Sequence, residues 1–409
     1  PKGKYRIAVD GNHILSTMTQ KLHEIDPAWF LEGPLSPVLK SLLKEEVLKW
    51  SSRNFDPVFV FSGMAVHGDV ESFVNTPEEL AEREAAWTDI QMRQRADKEL
   101  MDKAFDVVLG EDVEMALMRY MSDVLNVEVV RAPFLQWGQM VALLLPPHRN
   151  VNDVCGPAEL LLFDHVARVI CEIDFQHGMV SYVDKQEVLM ALFPTYAQNP
   201  PHVNSLFLDL GLLTASHQSL ALLRPDLEIG SIEELYTEIK RLDQQQCKIS
   251  DLVFSQFSVK TDANHETWKL MKGRAFIRHS VVLNPNSGEV MPLSKLLKVP
   301  VRVPKNLVGV LGSRLPPFIY YLQFIGLLSV GSATTISQNY IRDDNPVSDT
   351  VQYRNCMEVV ISLRTQVLYQ LVQHFQRNDD YRKRVKVSWI RWFEPISIPV
   401  LRPPDIRLD

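Results

Sequence analysis

Arg6-Ile7-Ala8-Val9-Asp10-Gly11 is the segment from which the class of this chain is read. Three consecutive apolar residues show no helical period, and the run stops at a glycine, so it reads as a buried strand entering a turn. Pro57-Val58-Phe59-Val60-Phe61-Ser62-Gly63 repeats the arrangement, again with one polar residue between apolar run and glycine. Buried strands of this kind belong to a mostly parallel sheet covered by helices. Asp10 then falls at the C-terminal edge of a strand, where open α/β sheets place their ligands. A capping or turn aspartate is the commoner reading of such a residue taken alone.

Val127 to Val130 and Glu159 to Phe163 are expected as further strands, with helices over Ser36 to Trp50 and Val113 to Leu125. Thr76 to Phe105 is expected as one long helix. Thr76 and Glu79 form a capping box there, and Pro77 takes a first helical position. Acidic side chains outnumber basic ones along it, so its surface repels a phosphate backbone. Beyond Pro225 the pattern changes. A capped helix over Ser231 to Gln245 is followed by a hairpin around Asn284-Pro285-Asn286-Ser287-Gly288, then by helices over Pro316 to Leu328 and Tyr353 to Arg377. The expected architecture is an α/β domain over 1–225, a mostly parallel sheet flanked by helices, then a mixed, helix-rich α+β domain over 226–409.

The chain has 409 residues, more than one domain of about 100 to 200 residues accounts for. With 46% hydrophobic and 23% charged residues, general disorder is excluded. The net charge of −7 divides into −12 up to Pro225 and +5 beyond it, which excludes a uniformly basic nucleic-acid coat and leaves the second half for polyanion contact. Cys155, Cys171, Cys247 and Cys356 lie too far apart for a zinc pair and are too few for a disulfide scaffold, so buried thiols in a reducing compartment are expected. No apolar stretch reaches the roughly 20 residues that cross a bilayer, and no membrane partner is expected. The chain opens on Pro1 without a secretory signal, which reads as a processed chain. The scattered histidines, among them His67, His148, His165, His177 and His202, form no ligand-spaced pair. A glycine-rich phosphate loop and a Gly-x-Ser-x-Gly elbow are both missing from the sequence.

Taken in order, Asp10-Gly11, Val60-Phe61-Ser62-Gly63, a charged helix, Ala132-Pro133, Glu159 to Phe163 and Phe207 to His217 resemble the xeroderma-pigmentosum-G and flap-endonuclease superfamily. The resemblance implies a PIN-like core, and in active members two divalent metals caged by carboxylates and cutting phosphodiesters. Position by position, Asp10 matches an acidic residue of the motif. Ser62 stands where the superfamily has an aspartate, Leu135 and Trp137 where it has two glutamates, Pro157 and Glu159 where it has two aspartates, and His217 where it has the last one. Only Asp10 and Glu159 retain a carboxylate, which excludes a two-metal clamp and leaves a lone Mg²⁺ with several waters open. The resemblance thus implies a pseudo-nuclease, not an enzyme, with no catalytic residue, resident metal or cofactor. A divergent structure-specific nuclease using Asp10, Glu159 and one metal is the alternative.

A nuclease-like domain without its metal ligands, joined to a region containing Leu315-Pro316-Pro317-Phe318-Ile319-Tyr320-Tyr321-Leu322-Gln323-Phe324-Ile325-Gly326-Leu327-Leu328, resembles the maintenance-of-killer-toxin family of post-transcriptional regulators. Full members are longer than this chain. The resemblance implies cytoplasmic work on messenger RNA, in complex with an ataxin-2-like, poly(A)-binding-protein-associated partner, affecting transcript stability and translation. Phe318, Tyr320, Tyr321 and Phe324 are the partner-binding candidates. Phe318, Tyr321, Leu322 and Ile325 share one helical face, and the helix carries more apolar surface than one buried stripe needs, although core packing explains it more plainly. Near the C-terminus Arg382, Lys383, Arg384, Lys386 and Arg391 are interleaved with Trp389 and Trp392, cations for phosphates and rings for unpaired bases. Basic residues at an ordinary element end account for the same pattern equally well. RNA is therefore expected as a partner, directly or through other proteins, and a stand-alone single-stranded RNA-binding module is the third reading.

Overall fold

A computed structural model describes residues 4–26, 29, 35–64, 77–93, 99–101, 111–145, 150–194, 200–215, 220, 224–227, 231–247, 249–255, 260–284, 286–298, 315–338, 340–342, 350–376, 387–390 and 400–401. Among these, β1 (Tyr5–Asp10), β2 (Phe55–Phe61), β3 (Glu128–Arg131), β4 (Asp153–Cys155), β5 (Arg168–Asp174) and β6 (Met179–Asp184) form a six-stranded sheet in the order β3-β2-β1-β4-β5-β6. β1 to β5 run parallel and β6 returns antiparallel along one edge. This is the α/β architecture expected from the sequence. Ile7, Ala8 and Val9 are wholly buried and Val58 to Phe61 almost so, as central strands covered on both faces must be. Pro57 fits into β2 because β3 pairs with that strand only from Val58 onward, which leaves the proline outside the β2–β3 ladder.

One expected strand is a different element. Glu159 to Phe163 falls on a 3₁₀ turn, Ala158–Leu162, and the strand beside β1 is instead β4. A short apolar run has no period that separates a buried strand from a buried turn. Gly156-Pro157 ends the strand, and Pro157, at φ −69°, opens the turn. The helix expected over Thr76 to Phe105 is found as Pro77–Arg93, while Thr76 and residues 94–98 and 102–105 lie outside the described residues. The helix expected over Val113 to Leu125 is Glu111–Arg119, passing into a π turn at Tyr120–Val124.

The chain divides into two compact units, neither continuous: residues 1–14, 48–63 and 128–311, and residues 15–47, 64–127 and 312–409. The first unit holds the sheet. Trp50 packs its ring against Phe55, Phe59 and Phe175 at centroid distances of 5.8, 6.4 and 5.2 Å. The Gln136–Leu144 helix approaches so closely that a Cβ on Gly138 would lie 2.6 Å from the Ser280 Cβ, so only glycine fits there. Its neighbour Gln139 accepts from the Leu283 N–H and donates to the Leu283 carbonyl, both at 2.9 Å, and so pairs like a strand with β7 (Val281–Leu283), itself antiparallel to β8 (Val290–Pro292). Within this unit, contacts join helices on both sides of position 225. Asp209 of the Pro200–Thr214 helix forms a bidentate ion pair with Arg274 of the Lys260–Arg278 helix, one bond measuring 2.6 Å. Between them, the Ile232–Gln244 helix starts at Ser231, whose Oγ accepts from the Glu234 N–H at 3.2 Å.

The second unit is mainly helical, with a three-stranded sheet in which β10 (Val387–Ile390) lies between β9 (Tyr340–Arg342) and β11 (Val400–Leu401). Its Pro317–Phe324 helix ends at Gly326, whose φ of +72° allows the Leu327 N–H to bond back to the Leu322 carbonyl. No helix among the described residues is long and apolar enough to cross a membrane.

Candidate functional site

In the strand order, β2 and β3 lie on one side of β1, and β4 to β6 on the other. The order reverses between β1 and β4, and open α/β sheets bind their ligands in the crevice beyond the strand ends at such a switch point. Asp10, the last residue of β1, sits there, with Gly156 directly after β4 beside it. A Cβ on Gly156 would lie 3.0 Å from the Asp10 Cβ, so the backbone following β4 packs directly on the aspartate.

Asp10 is wholly buried and surrounded by donors. The Trp137 indole N–H donates to Oδ2 at 2.6 Å, Gln136 Nε2 lies 3.4 and 3.3 Å from the two oxygens, and the His13 backbone N–H donates to Oδ1 at 3.0 Å. The last bond makes Asp10 the N-cap of the Gly11–Ile25 helix, whose dipole favours negative charge at that end. Trp137 and Gln136 have no solvent exposure. They open the Gln136–Leu144 helix, and Leu135, 3% exposed, precedes it as an N-cap without a side-chain bond. Ser62 contributes its backbone N–H, which donates to Asn12 Oδ1 at 2.7 Å and ties the turn after β2 to the first turn of the Gly11–Ile25 helix.

These contacts leave little chemistry for a cation. Mg²⁺ needs hard oxygen ligands in near-octahedral geometry, whereas the indole nitrogen of Trp137 is a donor only and presents its hydrogen to the carboxylate. Glu159 is half-buried and makes none of the Asp10 bonds. Partial burial and, after it, the nearby Glu159 carboxylate push the Cys171 thiol up. Pro157 caps the turn that carries Glu159. His217 lies outside the described residues. Among the described residues no three His, Cys, Asp or Glu side chains gather to hold a metal ion. Sequence reading singled out Asp10, Leu135 and Trp137 but missed Gln136 and Gly156. The Gly-Pro pair after the apolar β4 was the available signal for the second, and Gln136 carried none.

The other candidate residues lie in the second unit. Tyr320 is 3% exposed, and its hydroxyl accepts from the Leu315 N–H at 3.2 Å, so it serves the interior and presents no surface. Phe318, Tyr321 and Ile325 are 42, 50 and 43% exposed along one side of the same helix, and Phe324 is half-buried. Of the basic and aromatic candidates, Arg382, Lys383, Arg384, Lys386, Arg391 and Trp392 lie outside the described residues, while the Trp389 backbone belongs to β10.

Two curated proteins that this chain resembles over nearly its whole length are named post-transcriptional regulators. It is 36% identical over 414 residues to the post-transcriptional regulator MKT1L of Trypanosoma brucei brucei, covering 98% of this chain and 33% of that protein. It is 26% identical over 422 residues to the regulator MKT1 of the same organism, covering 98% of this chain and 55% of that protein. Residues 304–393 match the family model described as temperature dependent protein affecting M2 dsRNA replication. The chain is thus similar to regulators of the MKT1 type, and it spans a third to about half the length of these curated relatives. Among solved structures, the catalytic core of Rad2 in complex with a DNA substrate matches with a TM-score of 0.36 and 15% identity, covering 66% of this chain and 74% of that one. At that score the sheet order, rather than the match, defines the fold.

Proposed function

We propose that this chain is a catalytically silent, nuclease-like scaffold in a cytoplasmic messenger-RNA regulatory complex. The observation that carries the reading is the set of donors around Asp10. The carboxylate at the switch point is consumed by an indole, an amide and a helix N-terminus, so the position serves folding. Pairing a metal there would strip the Trp137 N–H of its acceptor in a site without water access, at a cost of about 1–3 kcal/mol. The alternative, a divergent nuclease using Asp10, Glu159 and one metal, requires that cost. Incubation with single-stranded RNA and flapped DNA in Mg²⁺ or Mn²⁺ tests the reading. No cleavage above the Asp10→Ala background is expected, and cleavage that Asp10→Ala abolishes would overturn it.

The regulatory role follows the names of the relatives. The partner is an ataxin-2-like, poly(A)-binding-protein-associated protein, and the exposed face at Phe318, Tyr321 and Ile325 is its docking surface, supported by its position inside the family-matched segment. RNA reaches the complex through that partner or through the basic, aromatic C-terminal segment. Affinity purification with and without ribonuclease separates the two: a partner retained after digestion is held by protein contacts.

A further inference from the structure

The first unit contains a cavity of about 330 Å³ that the Asp10 site does not involve. It lies where β6 passes into the Lys185–Leu192 helix. Leu189, Met190, Phe193 and Val203 give it apolar walls, and Asp164 and Lys185 also line it. Lys185 is the first residue of its helix, yet its side chain is folded inward and only 5% exposed. Its Nζ donates to the Phe163 carbonyl at 2.9 Å and lies 5.8 Å from the Phe207 ring centroid. Among the described residues no carboxylate comes within ion-pair distance of this amine. A buried cation without an ion-pair partner is unfavourable, and the positive end of its own helix adds to the effect.

We propose that Lys185 is a covalent capture site, whose ε-amine forms an imine with small apolar aldehydes that enter this cavity. The amine lone pair adds to the carbonyl carbon and a proton passes from nitrogen to oxygen, giving a carbinolamine. The hydroxyl then leaves as water while the C=N bond forms, so nothing is oxidised or reduced. The Asp164 carboxylate belongs to the same lining. The carboxylates of Asp164 and Asp184 disfavour anionic ligands, so the aldehyde is uncharged or cationic and its apolar body rests on Leu189, Phe193 and Val203. The protonation state agrees: burial pushes the Lys185 amine down to about 8, against an opposing effect of Asp164. At pH 7 about one molecule in ten then carries the neutral nucleophile, on the order of 200 times the fraction in an exposed lysine.

The test uses benzaldehyde with cyanoborohydride at pH 7, which reduces any imine to a stable benzylamine, followed by intact mass and tryptic mapping of the full chain. One adduct is expected, on Lys185, at least tenfold above any other lysine, and urea should erase the preference. Met190→Trp, a change at the half-exposed cavity mouth, should cut labelling of Lys185 at least tenfold with the melting temperature unchanged. Labelling spread evenly over the exposed lysines, no adduct at Lys185, or full labelling of Lys185 in Met190→Trp overturns the inference. It stands apart from the scaffold reading, since neither result depends on partner or RNA.

Discussion

The Trp137 indole N–H points at Oδ2 of Asp10 across 2.6 Å, and both residues are completely shielded from solvent. Open α/β sheets place their ligands beyond this edge. Here the carboxylate faces a tryptophan that donates to it. The bond couples the switch point to the start of the Gln136–Leu144 helix.

Trp137→Phe keeps most of the buried ring and removes that donor. Leaving Oδ2 without its shortest bond should cost about 1–3 kcal/mol in urea unfolding. An unchanged midpoint would show that Gln136 and the His13 N–H suffice for Asp10.

Asp209 is buried, which raises its pKa, while the Arg274 bonds lower it. Arg274→Met should therefore cost about 3 kcal/mol at neutral pH, because it strands a buried carboxylate. The loss should shrink as the pH falls and Asp209 takes up a proton, which the folded state of the variant accepts more readily than the unfolded chain. Asp209→Asn added to Arg274→Met should restore most of the stability at pH 7, and failure of that rescue would assign the cost to packing of the Arg274 stem.

Lys185 gives the opposite pH dependence from an ordinary ion-paired lysine. Its amine is lowered from 10.5 to about 8, so between those values the unfolded chain binds more protons and folding stability rises with pH. Below pH 8 both states are protonated and the whole penalty, about 3 kcal/mol, is present. Lys185→Met should be more stable than the parent at pH 7, less about 1 kcal/mol for the lost bond to Phe163. That advantage should fade between pH 8 and 10.5 in parallel urea titrations. A constant difference would place the amine at its ordinary value.

The two neighbouring tyrosines should separate. Tyr320→Ala empties a buried site and should cost about 3–5 kcal/mol, with a large drop in melting temperature. Tyr321→Ala, half exposed, should stay within about 0.5 kcal/mol of the parent. If the exposed face is the docking surface, Tyr321→Ala alone should weaken partner retention in a pulldown, and equal retention would locate the partner elsewhere.

Much of the sheet was legible along the chain. Arg6 to Val9, Pro57 to Phe61 and Val127 to Val130 each match an observed strand to within two residues, because short apolar, β-branched-rich runs followed closely by glycine or proline leave few alternatives. The hairpin of β7 and β8 was announced by its Asn-Pro-Asn-Ser-Gly turn. The run at Glu159 was misread as a strand because leucines buried in a turn and in a strand look alike, and β4 was passed over because three residues carry too little pattern.

Local chemistry along the chain was enough to assign the α/β class and the aspartate at the strand end, since residue type and nearest-neighbour sterics govern both. Folding in space alone settled that Asp10 is claimed by Trp137 and Gln136, that Tyr320 turns inward while Tyr321 does not, and that Lys185 is drawn into a cavity. Those outcomes depend on which side chains meet across more than a hundred residues of chain or on which face of a helix finds a neighbour, and hydrophobic periodicity carries no information about either.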